Sequence, residues 1–396
     1  MKKQNNLLIA ILTIGVFAII NTEMGVIGIL PLVADHFHIS ISKAGLLVSL
    51  FALAVAVSGP IMPLLFSGIN RKKVMLFVLG IFLLGNIVSV FASSFIVLLI
   101  ARVVPAFFHP IYCSLAFTVA AGSVSREEAP KAVSKVFVGV SAGMVLGVPV
   151  SSFIASVTSL GIGMLFFAIV NTIAFIATFL FIPSMPVSER LSYGVQISVL
   201  KKMNIWLSIA AVILMNGAVF GVYSYLAEYL KTITMIPEKM ISIMLLIYGV
   251  ANILGNVVAG KLLTKNAIKY VAAFPFVLGI IYIILFLMGQ FTVPMALITL
   301  VWGILAGIGG NINQYWITSA APEAPDFANG LFLTSANLGT TIGTAVCGLF
   351  ISGIGTQFVV LGGCLFLALS IVSILLRVYM HHPKKLLTSI VKEQTE

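Results

Sequence analysis

Residues 7–34 read LLIAILTIGVFAIINTEMGVIGILPLVA, and a single charged residue, Glu23, stands in the whole stretch. At 1.5 Å per residue, about twenty such residues in a helix cross the roughly 30 Å hydrocarbon core of a bilayer. The run exceeds the ~7–15 apolar residues of a signal peptide, and no small-residue cleavage site ends it. It therefore reads as a retained first membrane helix. Working outward, comparable runs recur near 42–68, 72–92, 95–121, 131–158 and 162–182, and again near 205–230, 238–263, 267–288, 293–320, 326–354 and 357–381. This pattern predicts an all-α membrane protein with twelve transmembrane helices in two six-helix repeats.

Composition points the same way. Of 396 residues, 60% are hydrophobic and 8% charged, and the mean hydropathy is +1.18. A water-soluble globule must cover itself with polar groups, which this chain lacks; lipid solvates apolar side chains directly. The net charge of +11 raises the question of a nucleic-acid partner, and its placement answers it. Arg71, Lys72, Lys73, Arg126, Lys131, Lys135, Arg190, Lys201, Lys202, Lys261, Lys265, Lys269, Arg377, Lys384, Lys385 and Lys392 fall on one side of the expected bilayer. Lys43, Lys231 and Lys239 fall on the other. That asymmetry is a topology signal which puts both termini in the cytoplasm, not a nucleic-acid footprint. Cys113, Cys347 and Cys364 lie within apolar runs without metal-ligand spacing and read as packing residues.

The longest polar stretch separates the two sets, dividing the chain into a bundle at 1–182, a cytoplasmic linker at 183–204 and a second bundle with a tail at 205–396. The bundles echo one another weakly. Gly139, Gly143 and Gly147 recur every fourth residue in the fifth run, and Gly143 to Gly339 and Gly147 to Gly343 are both shifts of 196. Six-helix repeats of this kind belong to carriers that bind their cargo near midplane, where the halves meet.

Few residues inside the bilayer can carry chemistry. Glu23 is the foremost, because a charge at that depth costs a few kcal/mol and normally faces a cavity or a partner. A carboxylate alternately wet and buried can take a proton from one side and release it on the other; a Glu permanently paired for assembly is the other reading. Arg102, in the fourth run, sits at a similar depth, which allows a Glu23–Arg102 pair. Bracing of helices through backbone carbonyls fits Arg102 as well. His109 follows seven residues later on nearly the same face, as a proton relay, a substrate ligand or an interhelical hydrogen-bonding group. Asn21, Asn216, Tyr223, Tyr225, Asn313, Gln314 and Asn337 place amides and phenols among apolar walls, as a pocket for a small ligand requires; interhelical hydrogen bonding is the alternative for each. The stripe Gly139, Gly143 and Gly147, followed by Pro149, permits close helix approach and a bend, for packing or for gating. No set of residues implies a cofactor or a metal.

These residues together resemble the major facilitator superfamily, and within it the branch of bacterial proton antiporters that export drugs, sugars and nucleosides. Asn21-Thr22-Glu23 with Gly28-Ile29-Leu30-Pro31 is similar to that branch's first-helix signature. Arg102, His109, Tyr223-Ser224-Tyr225, Trp302-Gly303, Ala321-Pro322-Glu323, Asp326 and Asn337-x-Gly339 match elements of its later helices, and Gly139 through Pro149 resembles its fifth-helix glycine–proline motif. The chain departs from the family pattern in three places, one being Glu228, which falls where several relatives carry proline. Ser67-Gly68-Ile69-Asn70 supplies no acid before Arg71-Lys72-Lys73, and Ser151 and Ser152 stand where glycines often follow the proline. The resemblance implies a cavity lined by the first, fourth, seventh and tenth helices and alternating access by rocking of the halves. It further implies a monomer in the bacterial inner membrane that exports a small organic molecule in exchange for protons, with Glu23 and Arg102 coupling the protons. Uptake by symport or facilitated diffusion is the competing expectation. A membrane-embedded enzyme would need a cluster of His, Asp or Cys near one interface, and the sequence contains none.

Overall fold

The computed structural model describes residues 2–39, 41–44, 46–187 and 193–381. Arg190 of the linker and the tail lysines Lys384, Lys385 and Lys392 lie outside the described residues. Helix α1 runs through Lys2–Gly25, a 3₁₀ turn at Val26–Ile29 and Leu30–His36; α2 comprises Leu46–Ser58 and Met62–Phe66. Then follow α3 (Arg71–Val90), α4 (Phe95–Ala106 and His109–Gly122), α5 (Ala129–Val157) and α6 (Leu160–Phe181). The second set is α7 (Met203–Tyr223 and Leu226–Thr232), α8 and α9 as the two arms of Glu238–Met288, α10 (Thr292–Thr318), α11 (Pro325–Ile354) and α12 (Val359–His381). The arms α8 and α9 part at Asn266, whose φ of −160° and ψ of 84° are non-helical, while its side chain accepts from the Lys269 amide at 3.1 Å. Among the described residues ten segments are long and apolar enough to cross a membrane. The two-piece α2 and the division of α8 from α9 bring the helices to the expected twelve. Within the expected linker, Tyr193–Ser198 forms a short helix continued by a 3₁₀ turn at Val199–Lys201.

Local chemistry places the breaks. Ser94 and Ser159 cap α4 and α6 by accepting from the amides of Val97 and Ile162, and Asn70 does the same for α3 through Lys73. In α4, Pro110 lacks an N–H and so cannot make the helical bond back to the Ala106 carbonyl. The helix accordingly stops at Ala106, turns through Phe107 and Phe108, and restarts at His109. In α1 the helix tightens to 3₁₀ at Val26, three residues past Glu23. Large apolar side chains such as Leu84, Phe91, Ile96, Phe179 and Leu297 remain exposed, which in a bilayer is contact with lipid.

The glycine echo has a structural counterpart. A Cβ on Gly139 would strike the Thr13 carbonyl, one on Gly143 would lie 2.8 Å from Ile20, and one on Gly147 would lie 2.9 Å from the Asn21 amide oxygen. The stripe is therefore the seam where α5 lies against α1. Gly339 and Gly343 form the matching seam of α11 on α7, against Ile213, Asn216 and Gly217. Pro149 is exposed, outside the seam.

The halves meet along α5–α8 and, on the face bearing the N-terminus, through α2, α4 and α11. Ser114 donates to the Asp326 carbonyl at 2.7 Å, Asn329 donates to Thr118 at 3.3 Å, and the backbones of Gly59 and Gly330 approach too closely for a side chain on either. Phe117 and Phe137 stack at 4.8 Å and take Phe332 of the second half against their edges. This plug closes the terminus-bearing face.

Candidate functional site

The breaks in α1 and α4 bring a carboxylate and an imidazole of the first half together. Glu23 Oε2 lies 3.1 Å from His109 Nε2, with the side chains 11% and 4% exposed respectively. The Phe51 ring stands edge-on to the imidazole at 6.2 Å, and the Cys113 Sγ lies 3.8 Å from the same Nε2. The imidazole is thus held between an apolar wall and a carboxylate, a setting in which one proton can be shared and its position switched.

Equal depth allowed a Glu23–Arg102 pair; in the structure the close partner of the carboxylate is His109, and Arg102 interacts with Glu23 by charge without an ion-pair contact. Arg102 instead donates to the Thr22 carbonyl, with its guanidinium 5.8 Å from the Phe167 ring centre. The Thr22 hydroxyl accepts from Asn86 at 3.1 Å and Asn171 at 2.8 Å. Four helices (α1, α3, α4 and α6) are thereby tied at one residue beside Glu23. The reason is positional: a guanidinium on the piece of α4 before the break reaches the α1 backbone, while the residue that restarts the helix reaches the carboxylate. Arg102 retains two buried donors, Nε and one terminal nitrogen, without partners, as do both atoms of the Asn21 amide and His109 Nδ1. Buried polar atoms of this kind normally find a partner, and in this conformation the protein itself supplies none for them. Ser151, at the departure from the family's glycine, donates to the Gly25 carbonyl at 2.7 Å, where α1 changes to 3₁₀.

In the second half the polar and aromatic residues are packed against one another, with Asn216, Asn313, Tyr248 and Trp302 buried. Asn216, 195 residues after Asn21, donates to the Ala336 carbonyl at 2.6 Å and to Thr340 at 2.9 Å, and accepts from Asn313 at 3.4 Å. Tyr223 stacks on Tyr248 at 4.3 Å, and Trp302 stands edge-on to both. Tyr225 fastens α7 to α11 through the Thr344 carbonyl at 3.0 Å. Gln314 donates to Asn329 at 2.8 Å, which places it in the plug between the halves rather than in a wall beside Asn313. Asn337 donates to Leu333 of its own helix at 2.8 Å.

One network has no counterpart in the expectations from sequence. Asn311 donates to Asn256 at 2.8 Å, Asn256 donates to Ser141 at 2.7 Å, and Ser141 bonds to Asn252, so that α10, α8 and α5 are joined across the halves. Its signal in the sequence is the spacing of Asn252 and Asn256, two amides four residues apart on one face of an apolar helix. Among the described residues no group of His, Cys, Asp and Glu is arranged to hold a metal.

Comparison with known proteins bears on the whole chain. The family model described as Major Facilitator Superfamily matches residues 12–326 and, in a second match, residues 205–394. An MFS-type transporter of Bacillus subtilis, YtbD, is 32% identical over 353 residues, covering 87% of this chain and 88% of that protein. A probable sugar efflux transporter of Helicobacter pylori is 26% identical over 358 residues, covering 90% of this chain and 91% of its own. The solved structure of the transporter FucP in the outward conformation superposes with a TM-score of 0.77 at 15% identity, over 93% of this chain and 98% of that one. That last likeness is one of fold.

Proposed function

The chain belongs to the major facilitator superfamily, a family of multi-pass membrane carriers of small molecules, and from that premise we propose that it exports a small organic compound in exchange for protons. The observation that carries the proposal is the Glu23–His109 pair, buried at 3.1 Å about five residues, or ~7.5 Å of helix, from Ser114 in the plug. A proton-coupled carrier needs an ionisable group whose solvation changes as the cavity changes sides. With the terminus-bearing face closed, the pair lies on the far side of the plug from that face. Protonation of Glu23 weakens its hold on His109 and frees both for the departure of cargo. Deprotonation, once the cavity faces the other way, restores the pair. Bundles 1–182 and 205–396 rock about the seams α5–α8 and α2–α11, with 183–204 as the tether.

The aromatic and amide wall of the second half supports an uncharged or weakly polar cargo of sugar- or nucleoside-like size, since stacking rings and amides suit a ring with hydroxyl groups. The similarity to a probable sugar efflux transporter supports the same class and the outward direction. The basic residues on the terminus-bearing face support a cytoplasmic location for both ends in a bacterial inner membrane.

The test uses inside-out proteoliposomes with an acid lumen, read by an internal pH dye while sugars, nucleosides and cationic drugs are added in turn. Addition of the right class is expected to release lumenal protons in the wild type. Glu23→Gln is expected to bind the compound without releasing protons, and His109→Gln to lose the pH dependence of exchange. Proton release that survives Glu23→Gln unchanged, or accumulation in the opposite direction, overturns the proposal.

A further inference from the structure

Arg377, near the end of α12, is 7% exposed, yet its hydrogen bonds go to neutral groups alone. It donates to Ser208 at 2.9 Å, to Ser319 at 2.8 Å and to the Trp316 carbonyl, and its guanidinium lies 3.7 Å from the Trp316 ring centre. Among the described residues no carboxylate comes within ion-pair distance of it. A buried cation with no counter-ion is costly, and dipoles together with an aromatic face offset that cost only in part. The same guanidinium lines a pocket of about 220 Å³ that also takes in Arg126, Ile268, Tyr315, Trp316 and Ser319. Arg126 comes from the connection between α4 and α5 in the first half, and the other lining residues come from the second half. Two guanidinium groups, a hydroxyl and a phenol converge on a space with room for one tetrahedral oxyanion.

We propose that this pocket binds a phosphate group, and that the bound phosphate bridges the halves on the terminus-bearing face. Phosphate suits the site better than a carboxylate, because its oxygens point in several directions and can engage two planar guanidinium forks at once. The pocket lies at the α4–α5 connection and the end of α12, on the face bearing the N-terminus, which the basic residues put at the cytoplasmic leaflet. The phosphate is either that of an anionic phospholipid or a soluble one. Because Arg126 and Arg377 belong to different halves, occupancy adds an electrostatic tie to the hydrogen bonds of the plug and favours the conformation closed on this face. The binding readout below does not depend on transport, so it stands or falls apart from the assignment as a proton-coupled exporter.

The test is the melting temperature of the full chain at neutral pH. In neutral detergent, potassium phosphate is compared with potassium chloride at equal ionic strength. In lipid discs prepared without phosphate buffer, phosphatidylglycerol is compared with phosphatidylcholine. A rise of roughly 2 °C or more, growing with ligand concentration, is expected in at least one arm, and it is expected to fall by half or more in Arg126→Gln and Arg377→Gln. Arg377→Gln also removes ties to Ser208 and Trp316, so Arg126→Gln, at the exposed rim, carries the test if that variant does not fold. A rise with phosphate identifies a soluble ligand, and a rise with phosphatidylglycerol alone identifies a lipid. No rise in either arm, or the same rise in Arg126→Gln as in the wild type, overturns the proposal.

Discussion

Glu23 and Glu323 each meet a base, in very different surroundings. Glu23 faces His109 at 3.1 Å between packed helices, with little exposure of either side chain. Glu323 meets Lys202 at the surface, with side chains 36% and 49% exposed, and joins the α10–α11 connection to the start of α7. Partial burial pushes the Glu323 carboxyl up, but the hydrogen bond and charge of Lys202, with Glu323's own backbone amide, outweigh it and hold the group below the usual carboxylate range. The sign follows from linkage: a carboxylate lowered on folding contributes stability that is present above its unfolded pKa and is lost as pH falls through the folded value. A surface pair contributes little, being screened by water. Glu323→Gln is therefore expected to lower the melting temperature by about 1 °C at pH 7. The difference should begin to shrink below about pH 4.3, the ordinary glutamate value, and close once pH has fallen through the lower folded value. Melting curves of both proteins from pH 3 to pH 8 check this; a gap that widens towards acid contradicts the assignment.

At the scale of single helices, the seams carry more energy than any ion pair. Gly139 lies against the Thr13 carbonyl, backbone to backbone, so a methyl group there forces α1 and α5 apart. Gly122, at the end of α4, has nothing near the position its Cβ would take. Gly139→Ala is expected to cost roughly 1–3 kcal/mol of stability, as overpacking generally does, and Gly122→Ala to be close to neutral. Unfolding of the two variants in mixed micelles measures the contrast. These elements also show which features are legible in a sequence. Apolar runs give α1 to α12 within a few residues, because a bilayer leaves few other ways to satisfy a backbone. The α5 stripe is legible as a close seam because small residues at every fourth position share one face. The partner of Glu23 is not legible, because equal depth in two helices does not determine which side chain crosses the gap. That depends on the break at Phe107 and Phe108, which turns His109 and not Arg102 towards the carboxylate. The roles of Thr22, Asn86 and Asn171 are hidden for a related reason: single polar residues in three apolar helices have no pattern until packing brings them together.

For the molecule as a whole, the question is what holds one face shut. The plug has three parts: the hydrogen bonds of Ser114 and Asn329 across the halves, the close backbones at Gly59 and Gly330, and the ring cluster of Phe117, Phe137 and Phe332. The loop between α2 and α3 lacks the acid that the family often places there, and the start of α11 supplies a fastening instead, through the Asp326 carbonyl and the Asn329 amide. The rings and glycines set how tightly the face can close; the hydrogen bonds set how often it stays closed. Each hydrogen bond contributes about 0.5–1 kcal/mol net, so removing both moves the balance between open and closed by roughly 5- to 30-fold. Cys113 reports this directly, since it precedes Ser114 and is buried beside the plug. With Cys347 and Cys364 replaced by alanine, Cys113 in the wild type is expected to react slowly with a maleimide supplied from the terminus-bearing side. Ser114→Ala with Asn329→Leu is expected to raise that rate by the same roughly 5- to 30-fold, while labelling from the opposite side falls or holds. An unchanged rate would mean that the rings alone keep the face closed, and the fastening at α11 would then be no part of the device that switches it.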